Sequence, residues 1–585
     1  MDCSISYHLS AVKSTSPGDP ELPNWFNNLG SSYLCRFQCT GNLQDIDLAI
    51  SHLQSGVGSS PSGHPNLPGS LNNLGSSYLV RFSRTNDPHD IDRAISYHER
   101  AVKSAPYGHA NLPRWFNNLG TSYLYRFEHR SDLEDLDRAI SYHQSAVESA
   151  SSGHAQLPGW FSNLGRSYSS RFECTGHLPD IDRAISYQQR AIEATPSGHI
   201  NLPICFNSLG SSYSSRFEST SDLQDINHAI SYHHSAVKST PSGHADLTIY
   251  CQALARSYLL RFASTSDFSD FQNSITFYRR GAEANGTPSI RLKNASIAAM
   301  LSSSIASIDD SHCLIDFALA ISLLSEVAGL EQTVHRHHVN LHNYPDLVGS
   351  AVATALTFQK FDLALEWLEE GRCLVWNQLQ QLRTPIDMLC MKNPPLADRF
   401  IKVASALESY VTRPAGAFLV PHSHITLSDD IRLQDDTRNH TIHATEYKQL
   451  LTEIRGLPDF HDFLQPPKAH DLLSSLPPDG PVIIFNIHQS RCDALALLAG
   501  IEVPLHIPLE NFSFDQAEQL QKTLRFDVLK QREVENQDRE IWRFAFGNGP
   551  SMAFVLKELW CKVVQPTLEV LGYSVSCSRF LTYLY

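Results

Sequence analysis

Three groups of residues have types and spacings suited to chemistry. The first is a histidine recurring every 45 residues, at His64, His109, His154, His199 and His244. Imidazole ligates metals and shuttles protons, but one histidine per stacked unit cannot converge on a single ion. A structural role at the turn before the next helix is the expected one. The second group is His335, Arg336, His337, His338 and His342, which contains an i, i+4 pair. Zinc-hydrolase helices use that spacing with an acid between the histidines as base, and no acid stands between His338 and His342. The third pair, His488 and Cys492, has the ingredients of a thiolate–imidazole dyad. Both fall on one expected hairpin, where a cysteine beside strands ordinarily packs as a small hydrophobe. No catalytic, cofactor-binding or metal-ligating residue is assigned on this basis, and no cofactor is expected.

The elements that position these residues follow from a repeat. The pattern Asn-Asn-Leu-Gly-Ser-Ser-Tyr and its variants place a glycine at Gly30, Gly75, Gly120, Gly165 and Gly210. An Arg-Phe pair follows at Arg36, Arg81, Arg126, Arg171, Arg216 and Arg261. An alanine of Asp-x-Asp-x-Ala-Ile falls at Ala49, Ala94, Ala139, Ala184 and Ala229, again 45 residues apart. Six copies in constant register require identical stacking of each unit on the next. Each unit reads as two helices. The first opens at Leu-Pro, where proline costs no intrahelical hydrogen bond, and carries Phe116, Leu119, Tyr123 and Leu124 at helical spacing. The second opens near Ser131-Asp132-Leu133-Glu134 as a capping box and buries Leu136, Ala139, Ile140 and Ala146. It is expected to stop at Ser-Gly-His, with the glycine as left-handed C-cap. Gly120 inside a helix costs about 1 kcal/mol relative to alanine, so its recurrence implies close helix–helix approach. Arg36 and its equivalents are expected to pair with the Asp45 and Asp47 positions of the following helix.

These residues resemble the tetratricopeptide repeat. Leu119-Gly120-Thr121-Ser122-Tyr123 fits its Leu-Gly-x-x-Tyr core, and Ala94, Ala101 and Pro106 fit its later positions. The usual unit has about 34 residues; extra residues between helices and between units lengthen it here. The resemblance covers residues 1–285, with copy six degenerate at Ala255 and Ser274. Asp2 to Ser16 align with Asp92 to Pro106, a second helix without its first. Either this start belongs to a fragment, or something else covers an orphan helix.

In such arrays the first helices line a concave groove, which places Asn27, Asn28, Asn72, Asn73, Asn117, Asn118, Asn163 and Asn207 along it. Carboxamides carry donors and an acceptor, so this ladder is a candidate site for an extended protein or peptide partner. The alternative is that the asparagines bridge neighbouring helices. The charged clamp that some tetratricopeptide domains use for a terminal carboxylate is not evident. Its basic positions are mostly Ser or Gly, with Arg166 and Arg256 as exceptions.

Beyond the array the expected organisation is a helical extension over 286–400, a loop and helical linker over 401–470, and an α/β segment over 471–585. A last helical hairpin ends at Phe361–Arg372 and feeds a long amphipathic helix through Trp376–Pro385. Residues 412–445 read as a surface loop and Glu446 to Leu464 as helix. Gly480-Pro-Val-Ile-Ile-Phe-Asn-Ile487 and Cys492–Leu498 read as a two-stranded hairpin, followed by helices over Phe514–Leu524 and Met552–Leu571. Trp367-Leu-Glu-Glu-Gly-Arg, Gln378-Leu-Gln-Gln-Leu-Arg-Thr-Pro and Ser490-Arg-Cys-Asp-Ala-Leu are similar to large fungal CHAT-domain proteins with tetratricopeptide repeats. That resemblance implies a caspase- and separase-like α/β domain with a His–Cys dyad. The dyad of that family lies beyond the segment represented by Leu559 to Tyr573, so no residue here inherits a catalytic role. The fold class is therefore mostly α: a tetratricopeptide-like α-solenoid of 45-residue helical hairpins followed by a partial α/β domain.

The formal net charge of −15, from 46 basic and 61 acidic residues, argues against a broad nucleic-acid footprint, which needs clustered cations. The N-terminus lacks the basic and apolar regions of a signal peptide, and no stretch approaches the ~20 apolar residues of a membrane helix. Twelve cysteines without a C-x-x-C pair fit reduced structural thiols. A cytoplasmic interaction scaffold with an incomplete, inactive CHAT domain is the expected function. The alternatives are a fragment of a caspase-like cysteine peptidase whose dyad lies beyond Tyr585, and a motor- or kinase-associated adaptor built on the repeats. Of the 28 histidines, those in the array are expected mainly at loop or exposed positions copied with the period.

Overall fold

The computed structural model describes residues 2–305 except 62, 107 and 152, and then 312–327, 344, 346–372, 386–411, 443, 446–478, 480–534 and 552–573. The His335–His342 cluster, the Trp376–Pro385 run and nearly all of 412–445 lie outside the described residues. The chain divides into two units, Met1–Phe277 and Tyr278–Tyr585.

The first unit is a tetratricopeptide-like solenoid of helical hairpins. Its first-type helices are α2 (Leu22–Thr40), α4 (Leu67–Thr85), α6 (Leu112–Arg130), α8 (Leu157–Thr175), α10 (Leu202–Thr220) and α12 (Leu247–Thr265). Its second-type helices are α1 (Asp2–Ser14), α3 (Leu43–Ser59), α5 (Pro88–Ser104), α7 (Leu133–Glu148), α9 (Leu178–Ala194) and α11 (Leu223–Ser239), and a last one, α13 (Phe268–Glu283), runs through the division at Phe277. Proline occupies the first turn of α2, α4, α6, α8 and α10. The second-type helices start on Asn42, Asp87, Asp132 and Asp222, whose side chains accept from the backbone N–H two residues on. That satisfies one of the orphan donors of each helix start.

The left-handed caps stand elsewhere than expected. They close the first helix of each unit, at Gly41, Asn86, Ser131, Gly176, Ser221 and Ser266, with φ between 57° and 67°. The two-residue link to the next helix demands that immediate reversal. Helices α3, α5 and α9 instead end on extended residues, and Gly63, Gly108 and Gly198 take positive φ within the following loop.

The recurrent helical glycine does set a close approach. A Cβ on Gly120 would stand 2.6 Å from the His143 ring, and Gly75 and Gly210 meet His98 and His233 at the same distance. Between α6 and α7 the core comprises Leu119, Tyr123, Leu136 and Ala139. Each large side chain so buried contributes roughly 1.5–3 kcal/mol.

In the second unit, helices Pro288–Ile305, His312–Val327, Leu347–Thr357 and Phe361–Arg372 share a core around Phe317, Leu324, Ala351, Leu356 and Trp367. Strands β1 (Val482–Ile487) and β2 (Cys492–Leu497) form the expected antiparallel hairpin, Val482 opposite Leu497 and Ile487 opposite Cys492. A third strand, β3 (Leu505–Pro508), pairs antiparallel with β2. Its four residues, ending in proline, are too short for a pattern to reveal. β2 is buried throughout, and Leu495 joins the helical core. The helix from Phe514 continues to Val534 rather than ending at Leu524. The segment after Met552 is two helices, Met552–Leu559 and Gln565–Val570, joined by a π-helical turn over Trp560–Val564.

Candidate functional site

Consecutive first-type helices touch one another along the array, so corresponding residues of adjacent units become neighbours. The asparagine pair uses this contact. Asn73 Nδ2 donates to Asn27 Oδ1 at 3.1 Å, Asn118 to Asn72 at 2.9 Å and Asn163 to Asn117 at 2.9 Å. Each rung therefore joins the second asparagine of one unit to the first asparagine of the unit before. Asn28 is exposed at the start of the series. The series then lapses. Ser162 lies 3.6 Å from Cys205 Sγ, and the Asn207 Oδ1 is buried without a partner because Ala253 stands where the next asparagine would.

The amides keep further capacity. Among the described residues, the Nδ2 groups of Asn27, Asn72 and Asn117 donate to no protein acceptor, but Asn72 and Asn117 are themselves buried, at 2% and 9% exposure. A cavity of about 1000 Å³ opens beside the later rungs, lined by Arg114, Asn117, Asn118, Asn163, Arg166 and Ile204 among others. No carboxylate lines it. Arg166 is tied to Glu128 at 2.6 Å and lies over the Tyr125 ring.

The arginine ladder is structural and more extensive than expected. Arg126 grips Asp135 of its own unit with two hydrogen bonds of 2.6 and 2.7 Å, and its third nitrogen reaches Asp92 of the preceding unit at 3.0 Å. Asp45-type residues thus pair within the unit, whereas the Asp47 type binds the arginine of the next unit, as Arg81 does. At the last junction Asn227 replaces that acid opposite Arg261.

Three histidines of the array depart from the expected loop or exposed placement. His98 and His143 are fully inaccessible and His233 is nearly so. They fill the space left by Gly75, Gly120 and Gly210, a tertiary fit that spacing alone does not disclose. Their Nδ1 atoms lie 2.9 Å from Ser122, Ser167 and Ser257 of the following unit. Burial pushes the imidazole pKa down to about 4 in His98, about 3 in His143 and about 4 in His233, against backbone hydrogen bonds that raise it. All three are neutral near pH 7. The loop histidines serve turns: Nδ1 of His64, His109, His154, His199 and His244 accepts the backbone N–H two residues on. His109 and His154 also stack on Trp115 and Trp160 at 4.7 Å.

In the second unit His488 and Cys492 do not form a dyad. His488 Nε2 lies 3.0 Å from Ser350 Oγ, while its Nδ1 accepts the Ser490 backbone N–H at 3.2 Å. The Cys492 thiol points at the His488 carbonyl, 3.8 Å away, and burial raises its pKa. The proton on His488 therefore sits on Nε2 and is directed to Ser350, so the ring is no base toward that hydroxyl either. Asp493 is buried against Arg491 and His506 at 2.7 and 2.8 Å. Among the described residues no group of three or more His, Cys, Asp or Glu side chains is placed to hold a metal. No described helix is long and apolar enough to cross a membrane.

The fold thus defines a tetratricopeptide-like α-solenoid, with a small antiparallel sheet in the second unit. Among solved structures, the chain is similar to a putative kinesin light chain of Podosopora anserina with nearly identical TPR-like repeats. Identity there is 14% over 38% of this chain and 99% of that one, with a TM-score of 0.29. BtubC (BKLC) from P. vanneervenii is 19% identical over 42% of this chain and 92% of that one, TM-score 0.29. A human IFIT1 dimer with PPP-AAAA is 13% identical over 60% and 73%, TM-score 0.32. No protein-family model matches the chain, and no curated protein does.

Proposed function

We propose that the chain is a protein-interaction scaffold whose first-type helices hold an extended peptide in a groove along the asparagine rungs. The observation that carries this reading is the cavity of about 1000 Å³ beside the rungs, which sets the half-buried carboxamides of Asn118 and Asn163 next to Arg114 and the exposed Ile204. Amides contact any backbone, so affinity comes with little sequence discrimination. Arg114 and Ile204 occupy a position that varies from unit to unit (Asn24, Gly69, Arg114, Gly159, Ile204, Ile249), while the arginine–aspartate and glycine positions hardly vary. Variation at this outward position beside the cavity, on a framework of constant arginine–aspartate pairs, suits ligand choice.

Residues 286–400 act in this reading as a helical extension, 401–470 as a linker, and 471–585 as the N-terminal part of a CHAT-like domain without catalytic function of its own. The engagement of His488 with Ser350 and of the Cys492 thiol with the His488 carbonyl keeps that pair from serving as its dyad.

Selection of a random peptide library on the full chain tests the groove. Binders are expected that lose affinity when Ser162→Trp fills the cavity. Binders indifferent to that change would place the site elsewhere.

A further inference from the structure

The variable position beside the cavity forms a column through successive units, Gly69, Arg114, Gly159, Ile204 and Ile249. Resting on the peptide-binding reading above, we propose that the groove takes a peptide segment with an internal acidic side chain, seated on Arg114, and an apolar side chain, seated on Ile204.

The acid is selected by the charges that line the cavity. Acids outnumber bases 61 to 46 over the chain, yet no carboxylate lines this cavity and two arginines do. Arg166 is already neutralised by Glu128 at 2.6 Å. Arg114 is exposed and, among the described residues, pairs with no carboxylate. His154 and His199 also line the cavity, and each spends Nδ1 on accepting a backbone N–H. Their protons therefore sit on Nε2, which makes them donors too. An uncommitted guanidinium among donors suits an anionic oxygen. One free cation matches a carboxylate better than a phosphate group, whose charge of about −2 calls for a second.

The neighbours of Arg114 in the column decide how the ligand lies. Gly69 precedes it and Gly159 follows it, and a Cβ on either glycine would meet nothing within 4 Å. The guanidinium thus stands between two gaps, and a ligand chain has room to continue past it on both sides. That geometry seats a side chain within a peptide rather than a terminal carboxylate at the end of one. Beyond Gly159 the column turns apolar, with Ile204 and Ile249 both exposed. An apolar ligand side chain there would remove this surface from water, whereas a second acid would find no cation. Arg114 and Ile204 stand two units apart on first-type helices in serial contact, about 16–20 Å. An extended chain covers that distance in about five or six residues.

The test selects a phage-displayed random peptide library on the full chain, on Arg114→Glu and on Ser162→Trp, with melting temperatures reporting that each variant keeps its fold. Wild-type binders are expected to be enriched in Asp and Glu, with an aliphatic or aromatic residue about five or six positions away. Arg114→Glu should turn the preference toward Lys and Arg. A synthetic peptide from the wild-type pool should lose about tenfold in affinity when its acid becomes lysine, about 1.4 kcal/mol, and Arg114→Glu should restore that loss. Binders without an acidic excess, or the same excess from Arg114→Glu, overturn the proposal. If such binders still fail on Ser162→Trp, the groove stands and only the acid assignment falls. If Ser162→Trp selects the same peptides as the wild type, or no library member binds, the peptide reading falls with it.

Discussion

The Nδ1 atom of His143, on α7, lies 2.9 Å from Oγ of Ser167, on α8 of the following unit. The ring is wholly inaccessible and fills the place cleared by Gly120. Neutral imidazoles at His98, His143 and His233 thus join one repeat to the next.

The histidine pKa values set a pH dependence. Their folded values, about 4, 3 and 4, lie below the ordinary value near 6.5. An unfolded chain therefore takes up more protons between those limits, and stability is lost as pH falls. The full contribution is present above about pH 6.5 and declines toward pH 4. At pH 5 each histidine should cost about 2 kcal/mol. Denaturant titrations at pH 7 and pH 5 should show the loss. His143→Gln, which copies Gln188 at the equivalent site, should reduce it.

Gly120→Ala tests the close approach. Helix propensity favours alanine by about 1 kcal/mol, but the new Cβ would meet the His143 ring at 2.6 Å. Overpacking of this kind costs about 1–3 kcal/mol, so the net effect should be destabilising. His143→Ser in the same chain should recover the loss. A stabilised single variant would disprove the contact.

The two acids around Arg171 should differ in worth. Asp180 is 3% exposed and held by two hydrogen bonds, whereas Asp137 is 63% exposed with one. Asp180→Ala leaves the guanidinium without its buried partner and should cost about 3–5 kcal/mol. Asp137→Ala should cost under about 1 kcal/mol, consistent with Asn227 at the corresponding place. Urea midpoints for the two variants would rank them.

Ala253→Asn should repair the lapsed rung. The Asn207 Oδ1 is buried and unpaired, and a donor from residue 253 would satisfy it as Asn118 satisfies Asn72. The gain should be about 1 kcal/mol, read as a raised melting temperature. A lowered one would show that the space has closed.

What the sequence alone determined was everything with a local cause. The 45-residue period, the Leu-Pro helix starts, the small glycine facing a neighbour and the β1–β2 hairpin all follow from spacing and residue type, whereas the expected capping box at Ser131–Glu134 gave way to an Asp132 cap because Ser131 closes the preceding helix. Tertiary structure decided the rest because those contacts join residues about 22–46 positions apart in sequence. Whether an asparagine faces a ligand or its neighbour, and which of its two amide groups stays free, depends on the stacking of one unit on the next. The burial of His98, His143 and His233 depends on the same stacking, since a histidine on a helix face looks alike in sequence whether water or a glycine-cleared niche awaits it. The left-handed caps at Ser131, Ser221 and Ser266 were concealed for a different reason. Serine does not advertise positive φ, and only the short link to the next helix imposes it.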